Sequence, residues 1–321
     1  MTQGLLVGTS LAFGSSAAVA QDDVNVRFSW KLKGEYAPFY HALNTGGFEA
    51  NELNVRLGEG AGSQAALGAL VQGQEDVVVM PAIFAMTAIQ RGMPVKLIAL
   101  YHRRAPVVMI SSPENPIESP SDIEGKTLAT AVGETGTAYL GTFCAINNVD
   151  CDSVSLIQMD QGARVPSFLQ GQVDAVTVYA SNDLPLLEAR TGVKYPSLDM
   201  AEHGLAVPGM AVVSSDDIIA EKPDVLKRFL HAVGESIAVA KGNPETAASS
   251  LIASWDGAPD LSIVIAQVQA TVDAMHEAEG KPEGWVNVDD IQATLDMLAD
   301  AGDIEVPRPA DAFFTNGLLS N

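Results

Sequence analysis

Apolar residues alternate along "VNVRFSW" (Val24 to Trp30), which predicts a half-buried strand; the glycine turn "KLKGE" and a helix from about Tyr36 to Asn44 follow. "NVRL" (Asn54 to Leu57) reads as a second strand, and "GEGAGS" leads into a helix ending near Val71. "DVVVM" is apolar on both faces, as a strand buried in a parallel sheet must be. "AIFAMTAIQRG" predicts a helix stopped at Gly92, and "VKLIALY" a further strand. Strands alternating with helices in this way predict an α/β unit built on a parallel sheet.

The connector "SSPENPIESPSDIEG" (Ser111 to Gly125) is dense in Pro and Ser, and a second unit of the same design follows it. "KTLATAV", "GETGT", "AYLGTFCAIN", "VSLIQM", "ARVPSFLQ", "DAVTV" and "LPLLEARTG" repeat the strand, turn and helix order, so that residues 126–198 mirror residues 24–100. One phrase even recurs in letters: "LVQGQEDVVVM" at Leu70 and "FLQGQVDAVTV" at Phe168, ninety-eight positions later. In both copies Gln-Gly-Gln ends a helix, and Gly73 and Gly171 suit a left-handed cap. After a return strand, "MAVVSS" (Met210 to Ser215), the remaining chain carries apolar stripes of helical period with Asp, Ser or Pro at the starts.

Two such units joined by a crossing and a return form a clamshell, with a cleft at the C-terminal edges of its sheets, where open α/β folds hold ligands. The expected division is lobe one at 21–112 and 207–321 with the helical tail packed on it, and lobe two at 113–206.

The cleft candidates follow from this layout. Trp30 ends the first strand, where an indole can stack on a planar ligand or sit in the core. Glu35 and Tyr36 begin the next helix; Glu35 can accept from an amino group or merely favour the helix N-terminus. Gly62 and Ser63 open a helix whose free N–H groups suit an anion or carbonyl, with a plain Ser cap as the simpler reading. Glu134, Thr135, Gly136 and Thr137 form the matching turn of lobe two. Pro81 and Tyr179 follow the repeated strand; Pro81 reads chiefly as a turn residue, whereas Tyr179 can stack and Asn182 can hydrogen-bond. Tyr101, with His102, Arg103 and Arg104, ends the strand before the crossing and lies at the cleft or the hinge.

Composition changes the picture further. In 321 residues, 47% apolar content is ample for packed cores without a metal or a disulfide framework. Forty acidic against 18 basic residues leave a formal charge of −22, which repels nucleic acid and favours neutral or cationic ligands. Cys144 and Cys151 can bridge a helix end to the following loop in an oxidising compartment, or stay as two buried thiols. Residues 1–20 lack charge and end in Ala-Val-Ala, like the tail of a secretory signal without its basic start. No other stretch approaches a membrane span, so the mature chain is expected to be soluble. The histidines show no metal spacing, and neither G-x-S-x-G nor a P-loop occurs, which argues against an enzyme.

"SWKLKGEYAPFYHALNTGGFEANELNV", "GEGAGSQAALGALVQGQEDVVV", "EKPDVLKRFLHA" and "ADAFFTNGLL" together resemble the nitrate, sulfonate, taurine and thiamine-pyrimidine group of ABC-transporter substrate-binding proteins, the SsuA/THI5-like family. The likeness covers nearly all of the chain after Gln21; Asn51-Glu52 stands where the family has Glu-Gly, in a surface turn. The resemblance implies a two-lobed type II periplasmic-binding-protein fold, a monomeric periplasmic receptor without cofactor, and two partners, a small molecule and the transmembrane permease subunits. Within that family the aromatic and acidic cleft candidates favour a thiamine pyrimidine precursor or a similar heteroaromatic or amino compound, and the two helix N-termini make sulfonate, taurine or nitrate the alternative. The family also implies rivals: a cytosolic pyrimidine synthase, whose cysteine-rich segment has no counterpart here, and a ligand sensor.

Overall fold

A computed structural model describes residues 21–319. The secretory-signal expectation for residues 1–20 therefore lies outside the described residues.

The chain builds two five-stranded sheets. Lobe one contains β1 (Asp22–Phe28), β2 (Leu53–Gly58), β3 (Val77–Pro81), β4 (Val95–Leu100) and β10 (Met210–Ser215), in the order β2-β1-β3-β10-β4. Lobe two contains β5 (Val107–Ser111), β6 (Thr127–Thr130), β7 (Ser155–Gln158), β8 (Ala175–Tyr179) and β9 (Ser197–Asp199), in the order β7-β6-β8-β5-β9. The two orders are the same pattern: β1, β2, β3, β10 and β4 correspond to β6, β7, β8, β5 and β9.

Both sheets are mixed, which corrects the expectation of parallel sheets. β10 runs antiparallel between β3 and β4, and β5 runs antiparallel between β8 and β9. Each lobe thus receives its fourth strand from the chain arriving out of the other lobe. The crossing consequently falls between Leu100 and Val107, earlier than the expected boundary at 112. "VVMIS" was hidden from the sequence pattern because it stands beside the crossing rather than inside a strand-helix repeat. The two crossings lie side by side as a hinge, where Ala105 N–H donates to Val207 O (2.7 Å) and Gly209 N–H to His102 O (2.8 Å).

The repeated phrase has a physical cause. Gly73 and Gly171 adopt φ of +69° and +68°, and Gln74 N–H and Gln172 N–H close the same six-residue turn onto Ala69 O and Ser167 O. The glutamine side chains clip together in both copies, Gln74 to Gln72 at 3.0 Å and Gln172 to Gln170 at 2.9 Å. Asp76 and Asp174 then accept the backbone N–H of Asn25 and Thr127, which ties each buried strand to its parallel neighbour. Those bonds from Thr127 hold the Asp174 carboxyl below its usual range.

The helices Pro223–Gly242, Pro244–Ile252 and Leu261–Asp273 cover one face of the first sheet, around Phe28, Phe39, Phe48 and Phe229. Phe48 and Phe229 stack at 5.4 Å, and each buried ring contributes on the order of 2–3 kcal/mol. Helix Val288–Asp300 covers the other face, and its Leu298 reaches Tyr139, Leu140 and Phe143 of lobe two, so the tail touches both lobes.

Cys144 and Cys151 are joined, tying the end of helix Leu140–Asn147 to the next turn. Loop entropy for so short a ring is about 2 kcal/mol. A C144S/C151S variant should melt a few degrees below the parent in calorimetry, and adding reductant should bring the parent down to it.

Candidate functional site

Where the C-terminal ends of β1, β3, β6 and β8 face each other, the lobes enclose a cavity of about 100 Å³. Trp30, Glu35, Tyr36, Ser63, Pro81, Glu134, Thr135 and Tyr179 line it, eight of the residues read from sequence. Of the other five, four lie directly behind the lining residues and Tyr101 lies in the core. Gly62 is the cap before the Ser63 helix, with φ of +118°. Gly136 packs so tightly that a Cβ would lie 2.5 Å from Thr177. Thr137 donates both its N–H and its hydroxyl to Glu134. Asn182 is buried, and its side-chain oxygen accepts Glu35 N–H at 3.1 Å. Tyr101 is 1% exposed in the core of lobe one, because the strand end on which it sits is covered by the tail at Gly284; it is a packing residue. Arg103 pairs with Asp290 outside the cavity.

The turn Gly34–Tyr36 arms one wall. Lys33 forms an ion pair with Glu35, and its ammonium lies 4.4 Å from the centre of the Tyr179 ring and 5.4 Å from that of Tyr36. Burial works against that charge, but Glu35, aided by Tyr179, overrides it and raises the Lys33 pKa above its ordinary value. Behind Glu35 lies His102, fully buried, with Nδ1 3.7 Å from the carboxylate. Its Nε2 faces Thr271 O at 3.1 Å and must donate there, which leaves Nδ1 without a hydrogen-bond partner. Burial pushes the His102 pKa down against the pull of Glu35.

The two helix starts at the cavity are not alike. In lobe two the Glu134 carboxylate accepts from Gly136 N–H (2.6 Å), Thr137 N–H (3.0 Å), the Thr177 hydroxyl (2.7 Å) and the Thr137 hydroxyl, with Arg164 3.8 Å away. The protein's own anion therefore fills that helix start. In lobe one the Ser63–Val71 helix has no side-chain cap, and the Ser63 hydroxyl, 1% exposed, is unpartnered. Arg164 Nε, on a side chain likewise buried, is unpartnered too. Both residues line the cavity, and among the described residues neither donor has a partner.

Lys33, Gln161, Arg164, Thr177 and Asp183 also line the cavity and escaped the sequence reading. The repeat carried a signal for two of them: at a spacing of ninety-eight, Gln161 stands opposite Ser63 and Arg164 opposite Ala66. Among the lining residues two are basic (Lys33, Arg164) and three acidic (Glu35, Glu134, Asp183), so the wall carries a formal charge of −1 with His102 neutral behind it.

A family profile described as NMT1/THI5 like matches residues 33–247. The chain belongs to that family. It is 26% identical over 230 residues to the riboflavin-binding protein RibY of Chloroflexus aurantiacus, covering 70% of this chain and 64% of the relative. The chain spans less than two thirds of the length of the curated relatives it matches. In fold it resembles the periplasmic aliphatic sulphonate binding protein SsuA from Escherichia coli (TM-score 0.72, 14% identity, 92% of this chain and 98% of that one). It also resembles the periplasmic nitrate-binding protein NrtA from Synechocystis PCC 6803 (TM-score 0.68, 15% identity, 93% and 87%). The fold of this family member is the two-lobed periplasmic-binding-protein fold.

Unfolded histidine titrates near pH 6.5. Because His102 stays neutral in the fold to lower pH, the unfolded chain binds the extra proton first and stability falls as pH drops below about 6.5. In H102Q the acid limb of Tm against pH, from 7 down to 5, should flatten. His41, also depressed by burial, contributes to the slope that remains, joined towards pH 5 by the lowered carboxyls of Asp122 and Asp174.

Proposed function

We propose that this family member is the monomeric periplasmic receptor of an ABC importer, closing on a planar, neutral or cationic single-ring heteroaromatic compound of the thiamine-pyrimidine-precursor kind and presenting it to the permease subunits. The observation that carries the reading is the cavity wall: Trp30, Tyr36 and Tyr179 around a net charge of −1, with the helix start of lobe two already closed by Glu134. A free anion would meet three carboxylates against two basic groups there, Lys33 already paired with Glu35, and find one helix start open rather than two. A planar ring can lie against the aromatic faces while its acceptor atoms take the Ser63 hydroxyl and Arg164 Nε.

Size narrows the class. A water needs roughly 10–15 Å³ of such space, so about 100 Å³ suits one substituted ring better than three fused ones. A riboflavin-binding relative supports heteroaromatic chemistry, while the cavity argues for a smaller member of it. The anion reading, sulfonate, taurine or nitrate, rests on the open Ser63 helix start and the unpartnered Arg164 Nε. Against the synthase rival stands the bonding of Cys144 to Cys151, the two cysteines of the chain.

Isothermal titration separates the readings. Hydroxymethylpyrimidine or formylaminopyrimidine should release heat, whereas taurine, alkanesulfonates and nitrate should not; the reverse outcome would establish the anion reading. W30A should weaken pyrimidine binding by about tenfold through loss of the stacking face, and should lower Tm as well because Trp30 also packs on the lobe-one core.

A further inference from the structure

The lobes meet on both sides of the cavity. On one side two backbone turns touch: a Cβ on Gly133 would lie 3.0 Å from Ser63 N and 3.2 Å from Gly62 Cα. On the other side the contact is made by Gln267, in the middle of helix Leu261–Asp273 and beyond the segment matched to the family. Its side-chain oxygen accepts Gly34 N–H of lobe one at 3.1 Å, while its Nε2 donates to the backbone carbonyl of Asn182 in lobe two at 2.7 Å. Asn182 in turn accepts Glu35 N–H through Oδ1 at 3.1 Å. Gln267 is 2% exposed, and Gly34 lies so close that a Cβ there would sit 2.3 Å from Gln267 Cβ.

We infer that Gln267 is a positioning residue that ties lobe closure to the ligand loop. Gly34 and Glu35 present their N–H groups to the clamp, while Lys33, Glu35 and Tyr36 present side chains to the cavity. One short turn therefore answers both to the ligand and to lobe two. When the lobes part, the bond to Gly34 persists within lobe one, and the bonds to Asn182 are lost. Opening exchanges the bond to Asn182 for one to water, so Gln267 favours the closed form by the modest net worth of that bond and slows release of what it encloses. The role in ligand retention rests on the receptor reading above; the clamp itself does not.

The test compares the full chain with Q267E by residue-resolved amide exchange in the absence of ligand. The carboxylate still accepts from Gly34 N–H but cannot donate to Asn182 and repels its carbonyl. Gly34 should keep its protection, and the Glu35 amide should exchange at least about tenfold faster. A residue that only packs lobe one would loosen both amides together or neither. Should Q267E fail to fold, Q267M, uncharged and of similar size, replaces it; because Met also removes the acceptor of Gly34, Glu35 must gain more exchange than Gly34 there, and an equal gain in both overturns the inference. Equal Glu35 exchange in parent and variant overturns the inference. With hydroxymethylpyrimidine, Q267E should raise the dissociation rate about tenfold at an unchanged association rate. If the parent gives no heat with pyrimidines but Glu35 loses protection in Q267E, the ligand reading falls and the clamp stands.

Discussion

The structure depends on an exchange of strands. Neither sheet is complete without a strand that enters from the opposite lobe, since β10 separates β3 from β4 and β5 separates β8 from β9. Both insertions are antiparallel to the strands beside them, so the connections through the hinge are short and their backbones pair with each other. Two lobes built in this way remain joined by two adjacent segments. Pro81 and Tyr179, which line the cavity, pair with Met210 and Val107 at the ends of those segments, so the cavity lies beside the crossings.

On this duplicated frame the two helix starts have been given opposite electrostatic roles. Glu134 satisfies the N–H groups of one from within the chain, while Ser63 leaves the other open. A clamshell with two open helix starts attracts an anion from both sides. With one start closed by a carboxylate, the same geometry presents aromatic faces, a lysine held by Glu35, and a small number of donors. The half-buried Lys33 and the buried Glu35 and His102 order the turn that lines the cavity, and the Lys33 charge is balanced by Glu35.

Much of this frame was legible in the chain. Runs such as "DVVVM" and "DAVTV" must be strands because helical stripes of that length would leave apolar residues in water. The repeat of Gln-Gly-Gln and Asp announced two lobes because a left-handed glycine and a carboxylate on the next strand are local devices. Eight cavity residues were placed by the rule that ligands meet the C-terminal ends of strands. The missed strand β5 and the missed Arg164 share one cause: their roles arise from segments far away in sequence, β8 and β9 for one and Thr177 and Glu134 for the other.

The sequence by itself determined most of the elements, their duplication and the family, since periodicity, caps and turns act over a few residues. Tertiary structure decided which side chains face the cavity and what they are free to do. Glu134 reads in sequence as a ligand contact, and folding turns it into the cap of its own helix. Tyr101 reads as a cleft residue, and the tail buries it. Gln267, one polar residue in an apolar helical stripe, becomes the contact between lobes only once the helix is laid across Gly34 and Asn182. Burial, satisfaction of hydrogen bonds and the balance of charge depend on which groups meet across the fold, and those meetings are not local.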